Sequence, residues 1–358
     1  MFTKETVKDA KVRNQNVLVR VDYNVPMENG KITDDLRIKA SLPTLEHLIK
    51  KGARRIILIS HLGRPEGKKV PELSLRPVAE RLAELLPDKK VRFIDDVSGP
   101  DVEEAVQKTP VGGILLLENL RFFPGEEKNS NEFAREIAET TGADIFVQDG
   151  FAVIHRAHAS TEAITKELPS VAGFLVEKEV SELNKVATSP AHPFIIIIGG
   201  AKVDDKQPLI DKLSPMADAV FVGGKIAADG YKSDNPKIHV CDTFIEDGEG
   251  GKRDIGEPCI EALLKLLDGA KTVLWNGTLG ETEKPEFKKG SEKLADYLSS
   301  HPEINSIICG GDTAGFAENY LKDHPGHSFS LISTGGGASL ELLSGLDLPG
   351  LDSLDEKY

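Results

Sequence analysis

The feature that most constrains this 358-residue chain is a run of four isoleucines, 195–198, followed directly by Gly199 and Gly200. An uninterrupted apolar run of this kind is typical of a strand buried on both faces, as in a parallel sheet. Glycines after the strand let backbone N–H groups approach an anion, and a helix start adds partial positive charge. Lys202 and Lys206 follow four residues apart, so we expect them to face one anion from a single helical turn. An ordinary strand, turn and solvated helix start would look the same, so the rest of the chain must decide.

Short apolar segments alternate with helical patterns along the whole chain. Strands are predicted at 17–21, 56–59, 91–94, 114–117 and 145–147, and again at 194–198, 219–222, 238–241, 272–274, 306–309 and 328–332. Intervening helices are predicted at 36–51, 75–86 and 131–141. This alternation predicts an α/β fold built on parallel sheets with helices on both faces.

The length of 358 residues is enough for two domains with separate cores. Residues 174–187 place apolar side chains at helical spacing, and SPAHP at 189–193 then interrupts the chain. We therefore expect a first domain at 1–172, a connecting helix at 173–188 and a second domain at 189–344.

Polar and charged residues follow the predicted strands of the first half closely. They are Asp22, Asn24, His61, Arg64, Arg121, His155, Arg156 and His158. In parallel sheets, ligands bind beyond the carboxyl ends of the strands. Arginine forks match phosphate and carboxylate oxygens, and Asp22 with Asn24 could hold a hydroxyl of the same ligand. The pattern favours a site for a small, highly anionic molecule, with structural ion pairs between loops and sheet as the alternative.

Glycines follow several strands of the second half, next to potential helix starts. They stand in Gly223-Gly224, Trp275-Asn276-Gly277, Gly310-Gly311-Asp312-Thr313 and Gly335-Gly336-Gly337. Neither a Walker pattern nor a dinucleotide GxGxxG is present. Together with Lys202, Lys206 and Asp312, the glycines indicate a polyphosphate site with Mg²⁺. For Asp312 alone, a helix N-cap is an equally good interpretation.

Charge and cysteine content exclude several classes of function. A net charge of −14 argues against binding to nucleic acid or to anionic membranes. Cys241, Cys259 and Cys309 form no metal pattern, and their odd number argues against a disulfide framework, so we expect them to be reduced. The N-terminus lacks the apolar core of a signal peptide, and no apolar run is long enough to span a membrane. A cytoplasmic enzyme is the expectation.

Two facing α/β domains, one with Arg and His for a small anion and one with glycine-lined helix starts for a nucleotide, suit phosphoryl transfer. Such transfer depends on positioning and on neutralising spread negative charge. Splitting the substrates between domains would require closure, which also excludes water from the reaction.

The motifs, taken together, closely resemble those of the phosphoglycerate kinase family. They are, in order, RVDYNVP, DDLRI, SHLGRP, ENLRF, HRAHAST, SVAGFLVEKE, GGAKVDDK, WNG, GGDT and STGGGASLELL. The resemblance runs from about Arg20 to the C-terminus. It implies two Rossmann-like domains joined by a helix and a hinge, and reversible phosphoryl transfer between 1,3-bisphosphoglycerate and ADP that yields 3-phosphoglycerate and MgATP.

The resemblance also implies roles for individual residues. The phosphoglycerate set would be Asp22, Asn24, Arg37, His61, Arg64, Arg121, His155, Arg156 and His158. The nucleotide set would be Gly200, Lys202, Lys206, Gly223, Gly224, Asn276, Glu283, Gly310, Gly311, Asp312, Thr313, Gly335, Gly336 and Gly337. Arg37, Lys202, Gly311 and Gly336 would act on the transferring phosphoryl group, Glu283 on the ribose and Asp312 on Mg²⁺. The tail, 345–358, would return to the first domain, and a monomer is implied.

Departures from the family pattern concentrate where the adenine and ribose would bind. Residues 225–230 replace the usual sequence after Gly224, and a helical stretch before the 238–241 strand is missing. Thr278 replaces a proline, GETE at 280–283 replaces GVFE, Cys309 replaces a glycine, and Gln148 replaces an asparagine. The base preference therefore stays open, and a binding or scaffold protein with impaired nucleotide binding is the alternative. An NAD-dependent dehydrogenase lacks the required glycine pattern.

Overall fold

The computed structural model describes residues 2–204 and 206–357, and Met1, Asp205 and Tyr358 lie outside the described residues. The chain divides into two compact units. The first unit contains the residues up to Val180 and those from Asp347 onward, and the second contains Ser181–Leu346. The division therefore falls inside the helix that follows the first sheet, several residues beyond the boundary at 172 expected from the sequence.

The first unit is built on a six-stranded parallel sheet with the strand order β5-β6-β4-β1-β7-β8. Its strands are β1 (Asn16–Arg20), β4 (Arg55–Ile59), β5 (Val91–Ile94), β6 (Gly113–Leu117), β7 (Ile145–Gln148) and β8 (Ser170–Ala172), and a small antiparallel hairpin pairs β2 (Met27–Glu28) with β3 (Lys31–Ile32). The central strands are almost wholly apolar and fully buried, as expected for a sheet covered on both faces.

Helices connect the strands of this sheet and cover it. They are α1 (Leu36–Lys51), α2 (Arg76–Leu85), α3 (Pro100–Lys108), α4 (Pro124–Glu127), α5 (Asn131–Thr141) and α6 (Phe174–Thr188), of which α6 continues into the second unit. Helix α1 ends at residue 51, as predicted, and Gly52 after it adopts the left-handed conformation with φ 80°. This helix brings Arg37, in its first turn, to the carboxyl end of the sheet.

The second unit repeats the plan with the strand order β11-β10-β9-β14-β15-β16, again in parallel. Its sheet strands are β9 (Phe194–Ile198), β10 (Ala219–Val222), β11 (Ile238–Val240), β14 (Thr272–Asn276), β15 (Asn305–Cys309) and β16 (Leu331–Ile332). Its helices are α7 (Gln207–Leu213), α8 (Gly224–Ala228), α9 (Glu257–Leu267), α10 (Lys289–Ser300), α11 (Gly311–Asp323) and α12 (Gly336–Ser344). The isoleucine run is the central strand β9, with every residue buried. The predicted α/β class with two parallel sheets is confirmed.

Two features of the second unit differ from the simplest interpretation of its sequence. The polar, glycine-rich stretch 246–254 is an exposed turn only at its centre, because β12 (Phe244–Glu246) and β13 (Lys252–Ile255) pair as an antiparallel hairpin that buries Asp254. Lys202 and Lys206 do not share a helical turn, because α7 begins only at Gln207, where a proline occupies the first turn.

The expectation of three reduced cysteines was also wrong. Cys241 and Cys259 form a disulfide, with their Cα atoms 5.6 Å apart, whereas the buried Cys309 takes no part in a disulfide. The hairpin of β12 and β13 folds the chain back between them, so that the first turn of α9 lies beside the end of β11. A count of cysteines cannot reveal such a pairing, because it depends on this tertiary proximity.

The C-terminal residues contact the N-terminal ones within the first unit. Lys4 and Glu356 form an isolated β-bridge, and the Lys4 ammonium donates to the carbonyl groups of Asp352 and Leu354. Just before them, α13 (Pro349–Asp352) packs where the backbone N–H of Gly350 donates to the carbonyl of Ile154. No helix in the described part of the chain is long and apolar enough to cross a membrane.

Candidate functional sites

The carboxyl end of the first sheet brings together most of the polar residues selected from the sequence. Arg37 donates to the Asp22 carboxylate at 2.6 Å and to the carbonyl of Asn24 at 3.2 Å. The amide oxygen of Asn24 accepts from the backbone N–H of Gly63 at 2.9 Å. Loops after two neighbouring strands, β1 and β4, are thereby joined to the first turn of α1.

Arg121 extends this cluster from the loop after β6. It is only 4% exposed and donates to the Gly63 carbonyl at 2.8 Å. Burial, together with the nearby Arg20, lowers its pKa to about 10, far enough above neutrality for the guanidinium to stay charged. Arg64 is exposed and has no side-chain partner among the described residues. Arg156, which lies close enough to Arg121 to influence its pKa, contacts His155.

The three histidines of the site are neutral at physiological pH. Burial is the largest cause in each case, and the surrounding guanidinium groups add to it. The pKa of His155 is lowered to about 4 and that of His158 to about 3, and the pKa of His61 is lowered well below its usual range. The positive charge of this site therefore comes from arginines, and the histidines offer hydrogen bonds without charge.

Several buried polar atoms of this cluster lack hydrogen-bond partners. They include Nε of Arg121, Nδ1 of His155 and Nδ1 of His158. Arg121 Nε lies 3.3 Å from a Glu127 oxygen, but without hydrogen-bond geometry. Buried polar groups are seldom left unpaired, so these atoms mark a polar cluster whose hydrogen bonds the protein does not complete by itself.

Sequence reasoning missed a second layer of residues beneath this site. Arg20, the last residue of β1, and Glu126, in α4, are both fully buried, and Ser160 bridges them. The signal was an arginine inside an otherwise apolar strand, because a buried charge needs a partner. The pattern did not say which residue the partner would be.

In the second unit, the loops after β9 and β14 cross at a distance that only glycine permits. A Cβ atom at Gly199 would collide with the carbonyl oxygens of Gly277 and Thr278, and one at Gly277 would collide with Gly199. The backbone N–H of Gly200 donates to Thr278 O at 2.8 Å, and that of Gly223 donates to Ile198 O at 2.8 Å. These two glycines shape the edge of the sheet, and their own N–H groups are already used within the protein.

Two helix starts converge at this edge. Helix α11 begins at Gly311 and α12 at Gly336. A Cβ atom at Gly336 would lie 2.8 Å from the Gly311 nitrogen and 3.1 Å from the Gly310 Cα. The N–H groups of a first helical turn have no partner within the helix, so those of Gly311, Gly336 and Gly337 offer donors and partial positive charge to one anion.

Side chains beside these helix starts form a connected group. The Lys206 ammonium donates to the amide oxygen of Asn276, whose residue is fully buried. The next residue, Gly277, donates its backbone N–H to the Thr313 hydroxyl at 2.8 Å. The structure thus brings Lys206, Asn276 and Thr313 to one place, together with Gly310, which precedes α11 at φ 98°.

The remaining residues selected from the sequence in this unit are exposed. Lys202, Asp312 and Glu283 have no side-chain partner among the described residues. Glu283 and Asp312 line one cleft of about 330 Å³ together with Phe316. Asp312 lies in the first turn of α11 and is not its N-cap, which is Gly310, while Gly335 caps α12.

The donors present fit Mg²⁺ held together with a phosphate ligand. The described residues contain no cluster of three or more His, Cys, Asp or Glu that could enclose a metal by themselves. Mg²⁺ usually keeps several waters and binds one or two carboxylates plus substrate phosphates. The exposed, unpartnered Asp312 beside two helix starts matches that mode.

Comparisons with known proteins agree with this geometry. A family model described as phosphoglycerate kinase matches residues 7–242 and 230–346. A curated relative named phosphoglycerate kinase, from Moorella thermoacetica, is 41% identical over 403 residues, which cover 99% of this chain and 100% of the relative. Another relative of the same name, from Fervidobacterium nodosum, is 37% identical, and the match covers 99% of this chain and 99% of the relative.

Solved structures show the same likeness. The structure of phosphoglycerate kinase from Coxiella burnetii is 32% identical with a TM-score of 0.80, and that from Pyrococcus horikoshii is 29% identical with a TM-score of 0.85. Each match covers 98% of both chains. The alignment with the Moorella relative has 403 positions, but this chain has only 358 residues. At least 45 positions of the alignment therefore have no counterpart in this chain. The family model's two matches overlap at 230–242, just before and within β11.

Proposed function

This chain belongs to the phosphoglycerate kinase family, and from that premise we propose how its two sites divide the reaction. Family membership makes it a glycolytic phosphotransferase with a carboxyl group as acceptor. We propose that the first unit binds 3-phosphoglycerate or 1,3-bisphosphoglycerate and the second binds ATP or ADP. The main support for the acid site is the charged Arg121, which is fixed by the Gly63 carbonyl among neutral histidines at the carboxyl end of the first sheet.

In the first unit, the arginines would hold the phosphate and carboxylate of the acid. Arg121 is charged and fixed by Gly63, and Arg64 and Arg156 lie beside it with exposed or half-exposed side chains. Asp22 and Asn24, already joined to Arg37 and Gly63, would accept from the substrate hydroxyl. His61, His155 and His158 would complete the site as neutral hydrogen-bonding groups.

In the second unit, phosphates of the nucleotide would lie at the converging starts of α11 and α12. Lys206, Asn276 and Thr313 would contact them, with Gly310, Gly311, Gly335, Gly336 and Gly337 around them. Gly200, Gly223 and Gly224 would shape the edge that the nucleotide approaches, and Glu283 would bind the ribose. Asp312 would hold Mg²⁺, which when bound neutralises charge on the phosphates.

In the reaction, a carboxylate oxygen of 3-phosphoglycerate forms a bond to the γ-phosphorus of ATP. The bond from that phosphorus to the oxygen of the departing ADP breaks, and the reverse path regenerates ATP. We propose that Lys202 and Arg37 neutralise the phosphoryl group during transfer, with the first-turn N–H groups of Gly311 and Gly336. Because the two ligand sets lie on separate units, direct in-line transfer would follow closure of the units.

A coupled assay tests this proposal. ATP and 3-phosphoglycerate are supplied with Mg²⁺, and the 1,3-bisphosphoglycerate formed is reduced by an added NADH-dependent dehydrogenase. Turnover that requires both substrates and Mg²⁺ is expected. Background turnover with folded protein would contradict the proposal.

The overlap of the two family-model matches at 230–242 motivates the alternative, a protein with impaired nucleotide binding. Calorimetry with MgADP separates the two. Saturable heat accompanied by a rise in Tm supports the kinase, whereas no heat and no shift would favour the alternative. A monomeric state, a cytoplasmic location and the absence of nucleic-acid or membrane partners remain predictions.

A further inference from the structure

We propose that Arg20, Ser160 and Glu126 form a buried positioning relay that holds His61 as a neutral donor, with its Nε2–H directed at the acid substrate. This inference rests on the proposed binding of the acid in the first unit. It concerns how one substrate-binding side chain acquires its hydrogen-bonding role. None of the three relay residues touches the substrate in this proposal.

Arg20 lies at the centre of the relay. It is fully buried at the end of β1, and its Nε donates to the Ser160 hydroxyl at 2.8 Å. One terminal nitrogen donates to the Val21 carbonyl, and the other lies 3.1 Å from Nδ1 of His61. The planar guanidinium thus fixes the ends of β1 and β4 and the 155–161 loop in one arrangement.

The contact with Arg20 determines the tautomer of His61. A guanidinium group has donors only and stays protonated in proteins. Nδ1 of His61 must therefore accept, and a neutral imidazole that accepts at Nδ1 carries its proton on Nε2. The chemistry of the neighbour fixes this assignment.

The other side of the His61 ring is available to a ligand. No group among the described residues forms a hydrogen bond with Nε2. Nε2 is also not one of the unpaired atoms enclosed away from solvent, a set that includes atoms of His155 and His158. Nε2–H therefore offers one donor at the open side of a residue that is only 3% exposed.

Burial and the charges around the His61 ring keep it neutral. Burial lowers its pKa most, and Arg20, Arg121, Arg37 and Arg156 lower it further. The carboxylate facing it is that of Asp22, 4.0 Å from Nδ1, and its charge is already paired with Arg37. A neutral histidine between arginines donates to an anion without adding another repulsive charge to the cluster.

Glu126 and Ser160 keep Arg20 in place. Glu126 is fully buried and accepts from the Ser160 backbone N–H at 3.0 Å and from its hydroxyl at 2.6 Å. The same carboxylate lies 4.0 Å from Arg20 and 3.8 Å from Nδ1 of His158. Two buried charges that share one serine stabilise each other, and removal of either would leave the other uncompensated.

The first experiment reads the tautomer directly. Two-bond ¹H–¹⁵N correlation spectra of the uniformly ¹⁵N-labelled full chain are recorded from pH 5.5 to 8, with His61 assigned by its loss in His61→Gln. We expect one neutral Nε2–H form throughout that range. An Nδ1–H form, a mixture, or protonation near pH 6.5 would overturn the proposal.

The second experiment compares two amide substitutions. In His61→Gln the amide reaches the position of Nε2, whereas in His61→Asn it reaches only that of Nδ1 and can still accept from Arg20. We expect the KM for 3-phosphoglycerate to rise only a few-fold in His61→Gln and about tenfold more in His61→Asn, because one hydrogen bond to a charged group is lost. Equal KM values in variants of equal Tm would contradict the role of Nε2.

The third experiment tests the relay itself. Arg20→Lys keeps the charge but replaces the planar fork by one ammonium, so we expect a mixed His61 tautomer and a KM raised about tenfold in a folded protein. Retention of the single Nε2–H form would show that Arg20 does not set it. If this variant does not fold, Glu126→Gln keeps the shape of the relay, and an unchanged tautomer and KM there would remove Glu126 from it. The spectra need no turnover, so they remain informative even if the kinase assay fails.

Discussion

The two candidate sites differ in the chemical groups that they present, which are mainly side chains in the first unit and mainly backbone groups in the second. In the first unit, the candidate anion site includes the buried side chains of Asp22, His61 and Arg121, and it lies above the fully enclosed Arg20 and Glu126. In the second unit, the corresponding edge offers backbone N–H groups at helix starts, and the candidate side chains Lys202, Asp312 and Glu283 are exposed.

The difference indicates how each site responds to change. Each side chain of a buried network stabilises the others. Loss of one side chain therefore lowers both ligand affinity and the stability of the fold. An exposed side chain without a partner contributes little to the fold, so its loss costs only the step in which it contacts a ligand. Substitutions in the second unit should therefore separate catalysis from stability more cleanly.

The largest expected effect is in the second unit, at Lys202. We expect Lys202→Ala to lower kcat by roughly 10²–10³-fold with little change in KM or Tm, because its proposed contact with the phosphoryl group would form mainly during transfer. The coupled assay and a thermal melt measure this. Lys265→Ala, at an exposed lysine of α9, is the matched control and should behave as wild type. A loss confined to KM would remove Lys202 from transfer.

A pair of arginines tests the contrast between buried and exposed groups within the first unit. Loss of one charged hydrogen-bonding group costs about 1.5–3 kcal/mol, so Arg64→Ala should raise the KM for 3-phosphoglycerate roughly 10–100-fold at unchanged Tm. Arg121→Ala should raise KM similarly and also lower Tm, because it is buried and bonded to Gly63.

Arg135→Ala, at an exposed arginine of α5, is the control for both arginine variants. If Arg64→Ala leaves KM unchanged, Arg64 does not bind the substrate. Equal Tm values for Arg64→Ala and Arg121→Ala would contradict the expected difference in stability between exposed and buried arginines.

Asp149 makes the stability of the first unit depend on pH. Burial raises its pKa to about 8, and it accepts from the backbone N–H of Leu175 at the start of α6. An acid whose pKa is raised in the folded state contributes folding stability that is fully present below its unfolded pKa of 3.8. That contribution is lost as the pH rises towards 8. The slope is at most about 1.4 kcal/mol per pH unit.

The measurement for Asp149 is the difference in Tm between Asp149→Asn and wild type from pH 5 to 9. We expect this difference to shift in favour of the variant as pH rises to about 8 and then to level off. Asp88→Asn, at an exposed position, should show no such trend. A constant difference would mean that Asp149 is ionised throughout.

The smallest expected effect is at Glu283. Glu283→Gln keeps the size of the side chain but would weaken the proposed charge-assisted hydrogen bond to the ribose, so nucleotide affinity should fall about three- to tenfold at unchanged Tm. Calorimetry with MgADP measures this, with Glu286→Gln as control. An unchanged Kd would mean that the ribose is held by other groups.

Much of the fold was readable because local patterns and tertiary structure agree. Helices α1 and α5 and strands β9 and β10 begin and end where their sequence patterns predicted. Strand ends followed by charged or glycine residues located both sheet edges, because ligand-binding residues in parallel sheets gather there. Arg37 came only from the family resemblance, because an arginine in the first turn of a helix looks like any surface residue.

What could not be predicted depends on contacts between distant segments. Glu126 follows a proline and a glycine in an acidic stretch, yet it is fully buried against Arg20, more than a hundred positions earlier. The disulfide between Cys241 and Cys259 likewise requires the hairpin between them, whose polar, glycine-rich sequence resembles an open loop. Periodicity and propensity carry no information on such pairings.

The return of the C-terminal residues to the N-terminus has a mechanical consequence. Both ends of the described chain lie in the first unit, where the N–H of Lys357 donates to the carbonyl of Thr3 and that of Glu5 donates to Asp355. The second unit is therefore an insertion within the first, and not a domain appended after it. A pulling force applied at the two ends would load this short antiparallel contact before any of it reached the strands of the second unit.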